Sequence, residues 1–111
     1  MRRCILFLLV VLAAPTARAG TLTVTNLNEA FAGSLRQAIA DAAPGDTIGF
    51  APGLTGTINV SSNSLQILRP LTILGPGAGV LALSGTDTRQ IMVVQNGELR
   101  LSGLTLRNGN W

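Results

Sequence analysis

The chain has 111 residues, which is enough for one domain at most. Its formal net charge is +3, but three of its eight arginines lie within positions 1–19, and the remainder is neutral, with five arginines against five acidic residues. Because no basic stripe remains, the composition excludes a nucleic-acid partner. The sequence contains no histidine, tyrosine or lysine, which excludes a histidine general base, the commonest zinc ligation and Schiff-base chemistry within these residues.

Positions 1–19 are typical of a secretory signal peptide. A positively charged start precedes the apolar run 5–14, which is too short to span a hydrocarbon core of ~30 Å. Ala17 and Ala19 stand at the small-residue positions of a cleavage site, so we expect cleavage between Ala19 and Gly20, with an uncleaved anchor as the alternative. The single cysteine lies in this leader, so the mature chain has no disulfide. We therefore expect a secreted protein or one at the bacterial cell surface or outer membrane, which meets a membrane only during export.

The mature chain begins with a strand and a short helix. Residues 21–25 alternate between polar and apolar side chains, which predicts a strand. Ser34 and Gln37 then have the spacing of a capping box, in which the Ser34 hydroxyl accepts from the Gln37 amide and the Gln37 side chain reaches back. Pro44 and the glycine after it end the helix. The apolar face of this helix comprises Leu35, Ala38, Ile39 and Ala42.

The rest of the chain consists of short alternating runs separated by turn residues. Ile58, Leu81 and Leu104 each open an apolar pair and follow one another at equal intervals, with two further runs in each interval. Three short strands per turn of this length predict a parallel β-helix. The Ser-Gly pairs at 84–85 and 102–103 support the repeat, and the Asn-Gly pairs at 96–97 and 108–109 suit left-handed corners. The predicted strands are 47–50, 57–60, 65–67, 71–73, 81–83, 91–93, 99–101 and 104–106.

A second interpretation starts from Asn96-Gly97, which is also a strong signal for a β-hairpin. Hairpins throughout the chain would give a small β-sandwich or barrel. We favour the parallel β-helix because the intervals between strand starts leave too little room for long antiparallel strands.

Several segments resemble one family of exported proteins. They are TLTVTN at 21–26, GSLRQAIADAAPGDTIGFAPGLTGTI at 33–58, LTILGPGA at 71–78 and LSGLTLRNGN at 101–110. Together they resemble the N-terminal region of bacterial secreted right-handed parallel β-helix repeat proteins, which are pectin-lyase-like and of the polymorphic-outer-membrane or choice-of-anchor type. The resemblance implies an all-β, right-handed parallel β-helix whose helix 34–43 lies across the N-terminal end of the coils. It also implies repeats that continue to a C-terminal surface anchor.

The expected organisation therefore has three parts. Residues 1–19 are the signal peptide, 20–56 form an N-terminal cap of strand, helix and strand, and 57–111 form the first coils of the solenoid. The last strand would present an open edge, so we expect the mature chain alone to be marginally stable or oligomeric.

Candidate site residues are few, and each has a structural explanation beside the functional one. Pectin-cleaving relatives cluster acidic residues for calcium binding or acid–base catalysis, but the three aspartates here share no predicted strand face, so we interpret them as turn or cap residues. The arginines could form a sugar-binding strip or could be solvated outward-facing residues, and Trp111 could be a platform for sugar. The asparagines are interpreted as corner residues. These side chains are Asp41, Asp46 and Asp87; Arg69, Arg89, Arg100 and Arg107; and Asn59, Asn63, Asn96 and Asn108.

The sequence thus favours an exported structural or adhesive β-helix passenger segment that is not an enzyme and uses no cofactor or metal. The alternative is the N-terminal part of a carbohydrate-active enzyme whose active site lies beyond residue 111, and a third possibility is a truncated reading frame. The expected partners are further coils of a longer chain, or a second copy bound through the open C-terminal edge. A polysaccharide is a further candidate partner.

Overall fold

The computed structural model describes residues 20–87 and 90–109. Over these residues the chain forms one helix and nine strands, and each predicted element is present with ends that lie close to those predicted. In chain order the elements are β1 Thr21–Val24, α1 Leu35–Asp41, β2 Thr47–Phe50, β3 Gly56–Asn59, β4 Leu65–Ile67, β5 Leu71–Leu74, β6 Leu81–Ser84, β7 Met92–Val94, β8 Leu99–Ser102 and β9 Thr105–Arg107.

The strands form three parallel sheets. Sheet A has the order β1-β2-β5-β8, sheet B has the order β3-β6-β9, and sheet C pairs β4 with β7. From β3 onward the chain visits sheets B, C and A in turn, which makes a β-solenoid of about three turns. Strands β7 and β8, on either side of Asn96-Gly97, pair in parallel with β4 and β5 of the preceding turn. The parallel β-helix is confirmed, and the hairpin interpretation is wrong.

The register differs from the equal intervals that the sequence predicts. Ile58 pairs with Leu83 and not with Leu81, so this turn is longer than the predicted interval, whereas the pairing of Ala82 with Thr105 keeps it. The Ser-Gly pairs at 84–85 and 102–103 are not equivalent either, because one follows sheet B and the other follows sheet A. Corner length therefore changes from turn to turn while the strands keep their parallel pairing.

Inward side chains of successive turns stack in columns that form the core. In sheet A the column contains Leu22, Ile48, Ile73 and Leu101, and in sheet B one column continues from Ile58 through Leu83 to the last strand. The two middle members of the sheet A column and the first two members of the sheet B column are at most 2% exposed. Leu22, in the first turn, and Leu101, in the last turn, are only partly buried. Burial therefore falls from the middle of the solenoid to its C-terminal end.

Helix α1 takes the place that strands of sheets B and C would occupy in the first turn, between β1 and β2 of sheet A. It packs against β1 and β4, the first strands of their sheets. All four residues of its predicted apolar face are buried, as expected. The helix therefore covers the N-terminal end of the core. Because β1 and β2 continue into the same sheet as β5 and β8, the segment 20–56 is continuous with the coils that follow.

The start of α1 shows half of the predicted capping box. Ser34 Oγ accepts a hydrogen bond from the Gln37 amide at 3.1 Å. The Gln37 side chain does not reach back, because its Nε2 donates to Asp41 Oδ1 at 2.9 Å. The Ser34 amide instead donates to the Phe31 carbonyl at 3.2 Å, with Phe31 in a left-handed conformation at a φ of 73°. The turn before the helix thus supplies the acceptor for the Ser34 amide that the Gln37 side chain was expected to supply.

Corners of adjacent turns touch through glycine. A Cβ atom on Gly75 would overlap the Gly103 carbonyl, and one on Gly103 would overlap the Gly75 carbonyl. Gly103 also has a φ of 71°. The Gly103 carbonyl accepts from the Gly77 amide at 2.8 Å, which holds the two corners together.

Replacing Gly103 by alanine is expected to lower the free energy of unfolding by about 3 kcal/mol, because the left-handed backbone and the overlap add together. Gly75→Ala tests the overlap alone, and Gly53→Ala tests the left-handed backbone alone, since a Cβ there meets nothing within 4 Å. Gly79→Ala, which also meets nothing within 4 Å, serves as the neutral control. Urea unfolding of the four variants measures each contribution. Equal stability of Gly103→Ala and Gly79→Ala would contradict the stacked corners.

Candidate functional site

The three aspartates lie apart in the structure. Asp41 is exposed at the end of α1, and Asp87 is exposed in the corner after β6 with a φ of 64°. Asp46 is buried immediately before β2. In the part of the chain that the structure describes, no group of three or more acidic, histidine or cysteine side chains is placed to hold a metal ion.

Both carboxylate oxygens of Asp46 accept hydrogen bonds from backbone amides. Its Oδ1 accepts from the Gly20 amide at 2.7 Å, and its Oδ2 accepts from the Ala43 amide at 2.9 Å. The residue is 7% exposed. These hydrogen bonds, from Gly20 and then from Ala43, hold the pKa of the Asp46 carboxyl below its ordinary value. Asp46 therefore joins the start of β1 to the loop that follows α1.

The arginines that could form a sugar-binding strip lie on different faces of the solenoid. Arg69 Nη1 donates to the Ile39 carbonyl of α1 at 3.0 Å. Arg100 projects from sheet A with 75% of its side chain exposed and lies 3.8 Å from Glu98. Arg107 projects from sheet B. These three arginines do not form a continuous strip, and Arg89 lies outside the described residues.

Other predicted residues have separate positions. Asn108 has the expected left-handed conformation, with a φ of 56°, and its Nδ2 donates to Ser84 Oγ at 3.2 Å. Asn59 is the last residue of β3 and therefore not a corner residue, because strand β3 extends to it. Ala17, Ala19 and Trp111 lie outside the described residues, while Gly20 lies within them.

A groove of about 330 Å³ runs along the outer face of sheet B. Thr57 and Thr105 line it on the first and last strands of this sheet. Arg107 crosses two turns to donate from Nη2 to Thr57 Oγ1 at 2.8 Å. Hydroxyl and guanidinium groups on an open face are chemically suited to hydroxyl-rich ligands.

The strongest electrostatic cluster centres on Glu29, a residue that the sequence patterns did not single out. Its carboxylate accepts four hydrogen bonds from the corner after β3: from the Ser61 amide at 2.8 Å and hydroxyl at 2.7 Å, and from the Ser62 amide and hydroxyl at 2.6 Å each. Partial burial raises the pKa of Glu29, but the hydrogen bonds from Ser62 and Ser61 outweigh that effect and lower it to about 2. The partners are 32 and 33 residues away, so no local pattern signals them.

Arg36 completes this cluster from α1. Its Nη2 lies 3.6 Å from Glu29 Oε2, and its Nε donates to the Glu29 carbonyl at 3.2 Å. Other guanidinium nitrogens donate to the carbonyls of Ser64, at 3.4 Å, and Asn63. We call Glu29, Arg36, Ser61 and Ser62 the clasp. It ties the helical cap to the corner between β3 and β4.

The two ends of the solenoid differ. At the C-terminal end, β7, β8 and β9 are the last strands of their sheets within the described residues, and we call this surface the open end. Val94 is 48% exposed and Leu106 is 45% exposed there, although the side chains they stack on, Ile67 and Leu83, are fully buried. The apolar columns therefore reach the open end partly uncovered.

Comparisons with known proteins do not identify a family for this chain. No protein-family model, curated protein or solved structure matches the chain. Among the described residues, no helix is long and apolar enough to cross a membrane. The resemblance to secreted β-helix repeat proteins therefore stays a prediction from the sequence.

Proposed function

We propose that this chain is the capped N-terminal end of an exported parallel β-helix that acts as a structural or adhesive protein, secreted or at the bacterial surface. The observation that carries the proposal is the difference between the two ends. Helix α1 covers the first strands of sheets A and C, whereas β7, β8 and β9 present the edge of the ladder and partly exposed apolar columns. Such an end adds strands readily.

The occupant that fits the open end is a further turn of the same solenoid. A parallel strand on each of β7, β8 and β9 would continue the registry of the preceding turns. Its inward side chains would cover Val94, Leu101 and Leu106, which belong to columns that are fully buried one turn earlier. In a preparation of residues 20–111 alone, a second copy supplies this cover when two open ends meet.

A structural role is also supported by how the chain uses its charged groups. The carboxylates of Glu29 and Asp46 bind backbone amides of other segments. The guanidinium groups of Arg36 and Arg69 bind backbone carbonyls. Each of these side chains holds one part of the solenoid to another, which favours a scaffold.

We expect residues 20–111, prepared alone, to self-associate in a concentration-dependent manner through the open end. Replacing Val94 and Leu106 together by glutamate should weaken this association by roughly 100-fold or more, because contact would bury charges without partners. Sedimentation velocity over a wide range of concentration measures the effect.

The matched control replaces Leu74 and Val80 by glutamate. These side chains are similarly exposed, at 49% and 40%, but lie on or beside β5 and β6 of the preceding turn. The control should associate like the unmodified chain. Equal weakening by both pairs, or a chain that stays monomeric at every concentration, would contradict the open end as an assembly surface.

The alternative is the N-terminal part of a carbohydrate-active enzyme whose active site lies beyond residue 111. The groove on sheet B, with Thr57, Thr105 and Arg107, favours it. The intact mass of the native exported protein shows whether further residues follow. Acidic residues at equivalent positions of adjacent downstream turns would then favour the enzyme over the scaffold.

A further inference from the structure

Gly20 is held at both of its backbone polar groups. Its amide nitrogen donates to Asp46 Oδ1 at 2.7 Å, and its carbonyl accepts from the Thr47 amide at 2.9 Å. Asp46 is itself fixed, because its Oδ2 accepts from the Ala43 amide and its own amide donates to the Ala43 carbonyl at 3.1 Å. A nearly buried carboxylate is therefore positioned against one particular backbone nitrogen.

We propose that Asp46 is the binding site for the α-ammonium group that signal-peptide cleavage creates at Gly20. The proposal rests on the predicted cleavage between Ala19 and Gly20, which is also part of the proposed export. Cleavage there converts the amide that faces Asp46 Oδ1 into a positively charged amine. The existing hydrogen bond becomes a charge-assisted one, which is shorter and stronger than a hydrogen bond from a neutral amide.

The consequence is that processing strengthens the first turn of the fold. Before cleavage, Asp46 binds a neutral amide. After cleavage, the same carboxylate binds a cation, and its second oxygen remains on the Ala43 amide. Asp46 is 7% exposed but Gly20 is exposed, so solvent partly screens this ion pair and its gain over the neutral hydrogen bond is modest. The mature chain is thus more stable at β1 than a chain that retains residues before Gly20.

The sequence makes this site unusually easy to probe. It contains no lysine, so the α-amine is the only primary amine of the mature chain. Exported mature chain is treated with the acetyl ester of N-hydroxysuccinimide at neutral pH, and intact mass records the acetylation rate. We expect the native chain to react at least ~10-fold more slowly than the same chain unfolded in urea, because the Asp46 carboxylate favours the protonated ammonium and only the neutral amine attacks the ester.

Asp46→Asn should raise the native acetylation rate toward the unfolded rate. Asp41→Asn, at an exposed carboxylate on α1, is the matched control and should leave the rate unchanged. A chain that retains Ala19 needs no change at Asp46, and it should unfold at a lower urea concentration than the mature chain. This comparison keeps the test valid if Asp46→Asn does not fold.

Two results would overturn the proposal: equal acetylation rates in the native and unfolded states, or an exported chain whose mass places its first residue elsewhere than Gly20. Self-association through the open end is measured separately. Rapid acetylation with normal self-association would remove this site and leave the structural function standing.

Discussion

Replacing Ile73 by alanine is expected to lower the free energy of unfolding by about 3–4 kcal/mol. Ile73 is fully buried in the middle of a sheet A column, with Ile48 stacked on one side and Leu101 on the other. The substitution removes apolar surface and leaves a cavity that neighbouring turns cannot close without breaking their ladders. Urea unfolding, followed by far-ultraviolet circular dichroism, measures the change.

Leu101→Ala is the matched control, because Leu101 stands in the same column one turn later. We expect it to cost about 1 kcal/mol in the dilute monomer, since its side chain is only partly buried. In the associated state the cost should rise toward that of Ile73→Ala, because the open end is then covered. Equal costs in the monomer would contradict the decline in burial along the column.

Replacing Glu29 by glutamine is expected to lower the free energy of unfolding at neutral pH by about 2 kcal/mol, the order of magnitude for losing hydrogen bonds to a charged group. The carboxylate accepts four hydrogen bonds from Ser61 and Ser62 and lies beside Arg36. A glutamine amide has one oxygen acceptor, and its NH₂ group would face the donors that Oε1 or Oε2 now satisfies. Because 25% of the Glu29 side chain remains exposed, the loss is smaller than for a fully buried charge.

The lowered pKa of Glu29 predicts that the stability of the fold depends on pH. The folded pKa of Glu29 is about 2, below its ordinary value of 4.5, so the unfolded state binds the proton more readily. The stabilisation is fully present above pH 4.5 and is lost as the pH falls toward 2. Asp46, whose pKa is also lowered, acts in the same direction. Glu29→Gln should therefore make stability less dependent on pH between these values.

Glu98→Gln provides the comparison for the clasp. Glu98 lies 3.8 Å from Arg100, and both side chains are 75% exposed, so this substitution should change stability by less than about 0.5 kcal/mol. Urea titrations at several pH values distinguish the two sites. If Glu29→Gln keeps the full acid sensitivity of the unmodified chain, the clasp does not stabilise the cap.

Local patterns in the sequence were sufficient for the elements and for the architecture. Period-two alternation is a local property, and in runs such as Leu65-Gln66-Ile67 it assigns each side chain to the core or to solvent. The apolar face of α1 follows from the helical period in the same way. Short runs separated by tight corners then leave room for parallel coils and little room for long hairpins.

The register and the site depended on contacts between distant residues. The pairing of Ile58 with Leu83 in place of Leu81 depends on the length of the corners. The alternation of side chains within a strand does not specify that length. No local sequence pattern marks Glu29, because the serines that it binds are 32 and 33 residues away. These serines reach Glu29 only after the chain has folded through β3. The Ser34 amide, which was predicted to donate to the Gln37 side chain, donates instead to the Phe31 carbonyl.

The sequence by itself therefore determined a parallel β-solenoid with a helical N-terminal cap, because side-chain period and turn chemistry act within a few residues. It also determined the neutral charge of residues 20–111, whereas the leader at 1–19 stays a prediction. Only the tertiary structure decided which turns stack in which register, that Glu29 and Asp46 bind backbone amides, and that burial falls toward the open end. These features depend on groups brought together from different turns, and their positions are set only when the coils close.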